Sequence, residues 1–241
     1  MPPDKSLVKI DAAQKRLAEA GFNIEQELLQ IEAVNGFELP RIRIEHKENG
    51  KHRLYVDYGE NYLGDESQEE DIKGSSFIAV VFAEQFIRAL WIDGEALPAC
   101  SAIDNKPIGQ DPVSHSCLTC PEAVIGQGKC KPKIRLWLLC QKDDKIRPYV
   151  MNLSPTSLKH WTNHKRKLRR SKLPVVVANT VLKLEDIKKN SYRWAEVNFS
   201  IDGIASKEVL ITAKQARDEL AKVMHDISAK DFDEPGDQAL E

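Results

Sequence analysis

Four of the five cysteines of this chain fall between positions 100 and 130, and this cluster constrains the fold more than any other feature. Cys117 and Cys120 form a C-x-x-C pair followed by Pro121, and Cys130 lies in a glycine-rich turn. A C-x-x-C loop directs two thiolates at one point, and four thiolates complete the tetrahedral shell of a structural zinc ion. The sequence therefore predicts a structural zinc site made by Cys100, Cys117, Cys120 and Cys130.

Two alternatives to this ligand set stay open. His115 lies two residues before Cys117 and is able to replace one of the cysteines as a ligand. A disulfide with spare thiols is the second alternative, but it requires an oxidising compartment. The first residues contain no apolar run typical of a secretory signal, which favours a cytoplasmic protein with reduced thiols. Cys140 lies in an apolar strand pattern, and we interpret it as a core residue.

The rest of the chain consists mostly of strand patterns. Apolar residues at three- and four-residue spacing predict two N-terminal helices within residues 6–34. Period-two runs at 39–45 and 52–58 flank Asn49-Gly50, which is a strong hairpin signal. Further strands are predicted at 77–82, 86–91, 134–141, 148–153, 175–184 and 192–200. The chain is therefore expected to belong to the α+β class and to be mainly β.

One predicted helix is strongly basic. Ser154 and Pro155 are typical of a helix start, and the helix is expected to run to about Arg170. Between positions 159 and 172 there are seven cations and no anion, so the segment repels itself unless a polyanion lies nearby. We predict that these cations contact nucleic-acid phosphates: Lys159, Lys165, Arg166, Lys167, Arg169, Arg170 and Lys172. A solvated helix face is the alternative.

Two strand faces combine aromatic side chains with basic or polar ones. Arg41, Arg43 and Tyr55 belong to the predicted hairpin, and Tyr192 and Trp194 share a face of the strand at 192–200. Aromatic side chains on a sheet are typical of proteins that stack the bases of single strands. We therefore add these five residues to the predicted nucleic-acid contacts. The alternative is that they are solvated or cover the sheet.

The end of the chain is acidic. Residues 226–241 contain six acidic side chains and one lysine, and Pro235 with Gly236 favours disorder. Such a tail is able to recruit replication or recombination proteins, or it simply keeps the chain soluble. No apolar run approaches the roughly 18 to 20 residues that cross a bilayer, so no membrane partner is expected.

The order of these motifs resembles a known family over residues 77–200. The matching motifs are Cys100, C-x-x-C-P at 117–121, G-K-C-K at 128–131, two strands, and S-P-T-S-L-K at 154–159. They resemble the zinc-containing single-stranded DNA-binding proteins of phages and mobile elements. That resemblance implies an OB-like antiparallel barrel, zinc at the four cysteines, and DNA contact near the barrel and the basic helix. The chain is also similar to zinc-bearing phage helix-destabilising proteins, which use one histidine with three cysteines, so His115 stays open.

Together these observations predict four segments. They are an N-terminal helical segment over 1–36, an OB-like nucleic-acid-binding domain over 37–204 with an inserted zinc loop at 100–130, a C-terminal helix over 205–227, and an acidic tail over 228–241. The expected protein is a zinc-stabilised, largely sequence-independent single-stranded DNA-binding protein. It would act in replication or recombination of a phage or mobile element, in the cytoplasm of a bacterial or phage-infected cell.

No enzymatic activity and no catalytic residue are expected, and the zinc would be purely structural. Two other functions are considered. One is a zinc-stabilised adaptor that binds a protein in a transcription or transposition complex. The other is a metal-dependent nuclease, which would need clustered carboxylates or a histidine constellation. The six histidines are scattered along the chain, which disfavours the nuclease.

Overall fold

A computed structural model describes residues 15–16, 19–21, 39–45, 52–59, 69–92, 98–108, 111–124, 127–142, 145–221 and 224. The chain divides into two compact units, Met1–Glu38 and Leu39–Glu241. In the first unit Lys15, Arg16 and Glu19 are helical. The rest of the helical segment predicted over 1–36 lies outside the described residues, as does the acidic tail predicted over 228–241.

The second unit is mainly β, in agreement with the predicted α+β class. Its described strands are β1 (Arg41–Glu45), β2 (Arg53–Asp57), β3 (Glu69–Asp71), β4 (Ser76–Leu90), β5 (Cys100–Ile103), β6 (Lys106–Ile108), β7 (Lys131–Lys142), β8 (Lys145–Leu153), β9 (Ala178–Lys189) and β10 (Tyr192–Ile204). Its helices are α1 (Leu158–Arg170) and α2 (Lys207–Leu220).

The strands form one open, mixed sheet. Their order is β10-β9-β4-β7-β8-β1-β2-β3, with β5 beside β4 and β6 beside β5. Neighbouring strands are antiparallel except β1 and β8, which are parallel. Among the described residues β10 and β3 do not pair with each other, so the closed barrel that the resemblance implies is not observed.

The open sheet nevertheless curls around its core. Leu54 and Val56 of β2 belong to the same buried cluster as Ala195 and Val197 of β10, although these strands lie near opposite ends of the strand order. His52, just before β2, has its Nε2 atom 4.0 Å from an Oδ1 atom of Asp186 in β9. Side chains from distant strands meet in this way only if the sheet bends back on itself.

The longest strand, β4, joins the two regions of interest. The sequence predicts separate strands at 77–82 and 86–91, but β4 is a single 15-residue strand with an irregularity between Val81 and Ala83. Its first residues pair with β9 and its last residues pair with β5, while β7 runs along most of its other side. A continuous strand is possible here because its apolar side chains are buried on both faces.

The basic helix α1 starts later than predicted. Residues Pro155–Ser157 form a 3-10 turn, and Ser154 makes no capping hydrogen bond. Instead, the Ser157 hydroxyl accepts a hydrogen bond of 3.0 Å from the Val197 amide, which ties the helix start to β10. Trp161 is fully buried in the main core. One face of α1 therefore packs over the inner side of the sheet, and the remaining faces carry the charges.

Within the segment predicted as a helix over 205–227, the described residues form α2 from Lys207 to Leu220, and residues 222–223 and 225–227 lie outside the described residues. Ser206 caps it by accepting a 3.3 Å hydrogen bond from the Val209 amide. Arg217 Nε donates to the carbonyl oxygen of Phe82 at 2.9 Å, which fixes α2 to β4. In the described part of the chain, no helix combines the length and apolar character that crossing a membrane requires.

Candidate functional site

The four clustered cysteines line one small cavity. Cys100 opens β5, Cys117 and Cys120 lie in the loop after β6, and Cys130 immediately precedes β7. All four line the same cavity of about 10 Å³. The fold therefore brings together residues that span 31 positions of sequence, because β5 and β7 both start beside the end of β4.

Hydrogen bonds and one glycine shape the loop that carries these thiols. The Cys130 amide donates to the Glu122 carbonyl at 2.9 Å, and the Lys129 amide donates to the Glu122 carboxylate at 3.1 Å. A Cβ atom at Gly128 would lie 2.0 Å from that same Glu122 carbonyl oxygen. The G-K-C segment closes against Glu122 only because position 128 has no side chain.

The donor set suits zinc. All five cysteines are free thiols, and four of them share the cavity. Within the described residues, no three metal-ligating side chains already stand in a coordinating arrangement, so the loop would have to tighten around an ion. His115 is exposed and does not line the cavity, whereas Cys100 does. Four thiolates would supply the closed tetrahedral shell of structural zinc.

Burial raises the pKa of two of these thiols, Cys117 and Cys130. It raises the pKa of Cys130 to about 11, with Arg88 opposing the rise and the neighbouring thiols adding to it. Burial, together with Cys100, also raises the pKa of Cys117. Because metal binding requires thiolates, zinc would have to displace protons from this cluster. Cys140 lies elsewhere, on β7 against the main core, and burial raises its pKa to about 12.

Two of the seven predicted phosphate-binding cations on and near α1 already have carboxylate partners. Lys159 Nζ lies 3.0 Å from Glu196, and Lys165 Nζ lies 2.6 Å from Glu84. The five others are exposed and have no carboxylate partner among the described residues: Arg166, Lys167, Arg169, Arg170 and Lys172. The charge available to a polyanion is therefore concentrated in the second half of α1 and just beyond it.

A polar groove of about 310 Å³ lies between α1 and β10. Its lining combines three of the unpaired cations with imidazoles, amides and one aromatic ring: His160, Asn163, His164, Arg166, Lys167, Arg170, Asn198 and Phe199. Arg166, Lys167 and Arg170 give the groove a positive wall, and Phe199 adds an apolar surface. Such a combination is suited to a phosphate next to an aromatic or sugar ring.

Glu196 organises the beginning of this groove. This buried carboxylate of β10 lies 2.6 Å from His160 Nε2 and accepts hydrogen bonds from Trp194 Nε1 at 2.9 Å and from Lys159 Nζ at 3.0 Å. Burial alone would raise its pKa, but the bonds from His160, Trp194 and Lys159 lower it. Glu196 therefore stays ionised and fixes His160 at the groove wall.

His164 forms the floor of the groove. It is 2% exposed, stacks on Trp161 with ring centroids 5.5 Å apart, and lies with Nε2 3.2 Å from the Thr180 hydroxyl. Phe199 packs on the same pair of rings. Burial and the charge of Lys167 lower the pKa of His164, so its imidazole is neutral at neutral pH. The floor is thus buried and uncharged, and the cations form the rim.

The two aromatic residues on the predicted face of β10 differ in their exposure to solvent. Tyr192 is 63% exposed at the start of the strand. Trp194 is half-buried, and its indole nitrogen is committed to Glu196. Ala195 and Val197, on the opposite face, belong to the core. Tyr192 is therefore the residue of this pair that presents an accessible ring.

The hairpin residues do not join the groove. Tyr55 is 8% exposed, and Arg53 lies 4.7 Å over its ring, so it has no free face for a base. Arg43 Nε donates to Asp57 at 2.8 Å, and Arg41 lies on the same strand, β1. Tyr55 does not line the groove, and base stacking by it stays a prediction that its low exposure disfavours.

The cysteine cavity and the groove are separate, since no described residue lines both. Five groove residues were not predicted from sequence: His160, His164, Asn163, Asn198 and Phe199. The first two lie four positions apart on the basic helix, in line with Lys167 and Arg170, and that spacing was an available signal. Arg88 was also missed, although it is a lone cation in an apolar strand.

The chain matches no family model, no curated protein and no solved structure at a significant level. The resemblance to zinc-containing single-stranded DNA-binding proteins therefore rests on motif spacing alone.

Proposed function

We propose that this chain is a zinc-stabilised single-stranded DNA-binding protein that binds largely without sequence preference. The groove between α1 and β10 carries the proposal, because its wall presents Arg166, Lys167 and Arg170 without carboxylate partners in the described part of the chain. Cations of this kind gain most from a polyanion, since binding releases counterions from the phosphates.

The curled sheet would act in this proposal as an OB-like support. The inner face of the sheet is filled by the core and by Trp161. The single-stranded DNA would therefore lie along α1 and the edge strand β10. Arg169, Lys172 and the exposed ring of Tyr192 lie outside the groove lining and would add contacts beyond it. An aromatic contact of this type contributes about 1–3 kcal/mol per base.

Zinc would hold the loop at 100–130 through Cys100, Cys117, Cys120 and Cys130, and would supply no chemistry. The proposal assigns no catalytic residue. It places the protein in replication or recombination of a phage or mobile element in the cytoplasm, with partner proteins recruited through the acidic C-terminal segment.

Anisotropy titration of labelled oligo-dT and of a matched duplex, at low and moderate salt, tests the proposal. We expect tighter binding to the single strand and a steep loss of affinity as salt rises. Equal or absent binding to both would contradict it. Divalent-dependent degradation of either DNA would instead indicate the nuclease considered from the sequence.

A specific observation favours the adaptor as the second candidate. Leu118, between the two cysteines of the C-x-x-C pair, is 79% exposed, and Val113 and Val124 on the same loop are also exposed. Apolar side chains exposed together as one patch mark a protein-binding surface. Leu118→Ser would leave oligo-dT binding unchanged under the first proposal, and would abolish capture of a protein partner under the second.

A further inference from the structure

Arg88 is a buried arginine beneath the cysteine cluster. It is 7% exposed, and on β4 it pairs with Ala102 of β5 and with Pro132 of β7. Those partners lie two residues after Cys100 and Cys130 respectively. The guanidinium is therefore held beside the starts of β5 and β7, and its bond partner Ala123 lines the cysteine cavity.

The partners of Arg88 do not balance its charge. Its Nη1 donates to the Ala123 carbonyl at 2.8 Å, and its guanidinium lies 5.0 Å from the centre of the Phe86 ring. Its buried Nε has no hydrogen-bond partner, and among the described residues no carboxylate lies within ion-pair distance of this side chain. A buried cation without a counter-ion is costly, because it loses hydration and gains no ion pair in return.

We propose that Arg88 is the internal counter-cation of the metal centre and favours a four-thiolate zinc site. This inference rests on the proposed zinc site. Zinc with four thiolates carries a net charge of about −2, and replacing one thiolate by a neutral histidine leaves about −1. At the same distance, the Coulomb attraction of the centre for the buried guanidinium is about twice as large for a charge of −2 as for −1, whereas a disulfide would provide no attraction at all. Arg88 is thus a positioning residue that acts through its charge, not a ligand.

The proposal predicts that Arg88 changes the stability of the metal-free protein and of the zinc-bound protein in opposite directions. Without metal, the described residues offer the buried guanidinium of Arg88 no counter-charge, so Arg88 destabilises the fold. With zinc the centre is anionic, so Arg88 stabilises it. A residue that only holds the loop through its bond to Ala123 would instead stabilise both states.

Arg88→Met tests this by thermal unfolding in zinc and in chelator, and by zinc affinity in a chelator competition. We expect the variant to unfold at a higher temperature than wild type without metal, and to bind zinc about 10- to 100-fold more weakly, as residues around a metal shell typically do. The control is Arg135→Met, which removes a buried arginine of β7 outside the cavity lining. Its zinc affinity should equal that of wild type.

A second pair of variants separates charge from hydrogen bonding. Arg88→Lys keeps the charge, and Arg88→Gln keeps a donor for the Ala123 carbonyl. We expect the lysine variant to bind zinc more tightly than the glutamine variant. Equal or tighter binding by the glutamine variant, or equal destabilisation of Arg88→Met with and without zinc, would overturn the role of Arg88. Failure of the wild-type protein to bind zinc would overturn the metal site itself, which is a distinguishable result.

Discussion

The difference between paired and unpaired cations on α1 yields the sharpest prediction about binding. Arg166, Lys167 and Arg170 line the groove without carboxylate partners among the described residues. Lys159 and Lys165 belong to the same helix but are held by Glu196 and Glu84. All five were predicted from the sequence as phosphate contacts. The structure divides them, because a paired lysine must give up its carboxylate before it can neutralise a phosphate.

The expected magnitude follows from counterion release. Each neutralised phosphate of a single strand contributes about 0.7 to the slope of log affinity against log salt. Replacing Arg166, Lys167 and Arg170 together with glutamine should therefore reduce the slope by about 2. Between 50 and 200 mM salt, wild-type affinity should then fall roughly 20-fold more than that of the triple variant.

The assay is anisotropy titration of labelled oligo-dT at four or more salt concentrations. The double variant Lys159→Gln, Lys165→Gln is the matched control, since it removes two charges from the same helix. It should change the slope by clearly less than the value of about 1.4 expected for two phosphate contacts. The reasoning is refuted if the control reduces the slope as much per charge as the triple variant, or if the triple variant leaves it unchanged.

Three further predictions concern stability and metal. The pKa of His164 is lowered from its ordinary value of 6.5 in the folded protein, so the unfolded chain binds more protons and stability should fall as pH drops below about 6.5. Urea unfolding at pH 7.5 and 5.5 should show a smaller loss of stability for His164→Gln than for wild type, and an equal loss would contradict this. Gly128→Ala should cost about 1–3 kcal/mol of zinc-loaded stability through the clash with Glu122. The control Gly74→Ala meets no atom but lies at a φ of +72°, so it should lose stability without losing zinc affinity, whereas Gly128→Ala should lose both; equal zinc affinity in the two variants would argue against the closed loop. Replacing Cys117 and Cys120 with serine should release the metal and lower the melting temperature, whereas full stability without metal would contradict a structural zinc.

Local patterns predict the elements of this fold well. The hairpin of β1 and β2, the strands around the cysteine loop, the basic helix and the mainly β class all follow from periodicity and turn residues. The errors lie where tertiary contacts, and not local sequence patterns, determine where a strand or helix begins or ends. β4 is one strand because an irregularity between Val81 and Ala83 absorbs the break in its pattern. α1 starts late because Ser157 bonds to β10 instead of capping the helix.

The candidate sites depend on pairings that no local pattern contains. The convergence of four cysteines was predictable from spacing, because that motif encodes its own geometry. The partners of Lys165 and Lys159 were not, because Glu84 and Glu196 come from strands 81 and 37 positions away. Tyr55 resembles a stacking residue in an alternating strand, yet its ring is buried and lies 4.7 Å from the guanidinium of Arg53. Periodicity indicates which residues share a face, but not which faces the fold covers.

Photo-crosslinking of oligo-dT containing 5-iodouracil, followed by peptide mapping, tests the central claim most directly. If the strand lies in the groove, crosslinks should map to the peptides that carry His160 and Phe199, with a further site at the exposed Tyr192. They should be lost in the triple variant of Arg166, Lys167 and Arg170. Crosslinks confined to the β1–β2 hairpin or to the cysteine loop, with none on α1 or β10, would contradict the account.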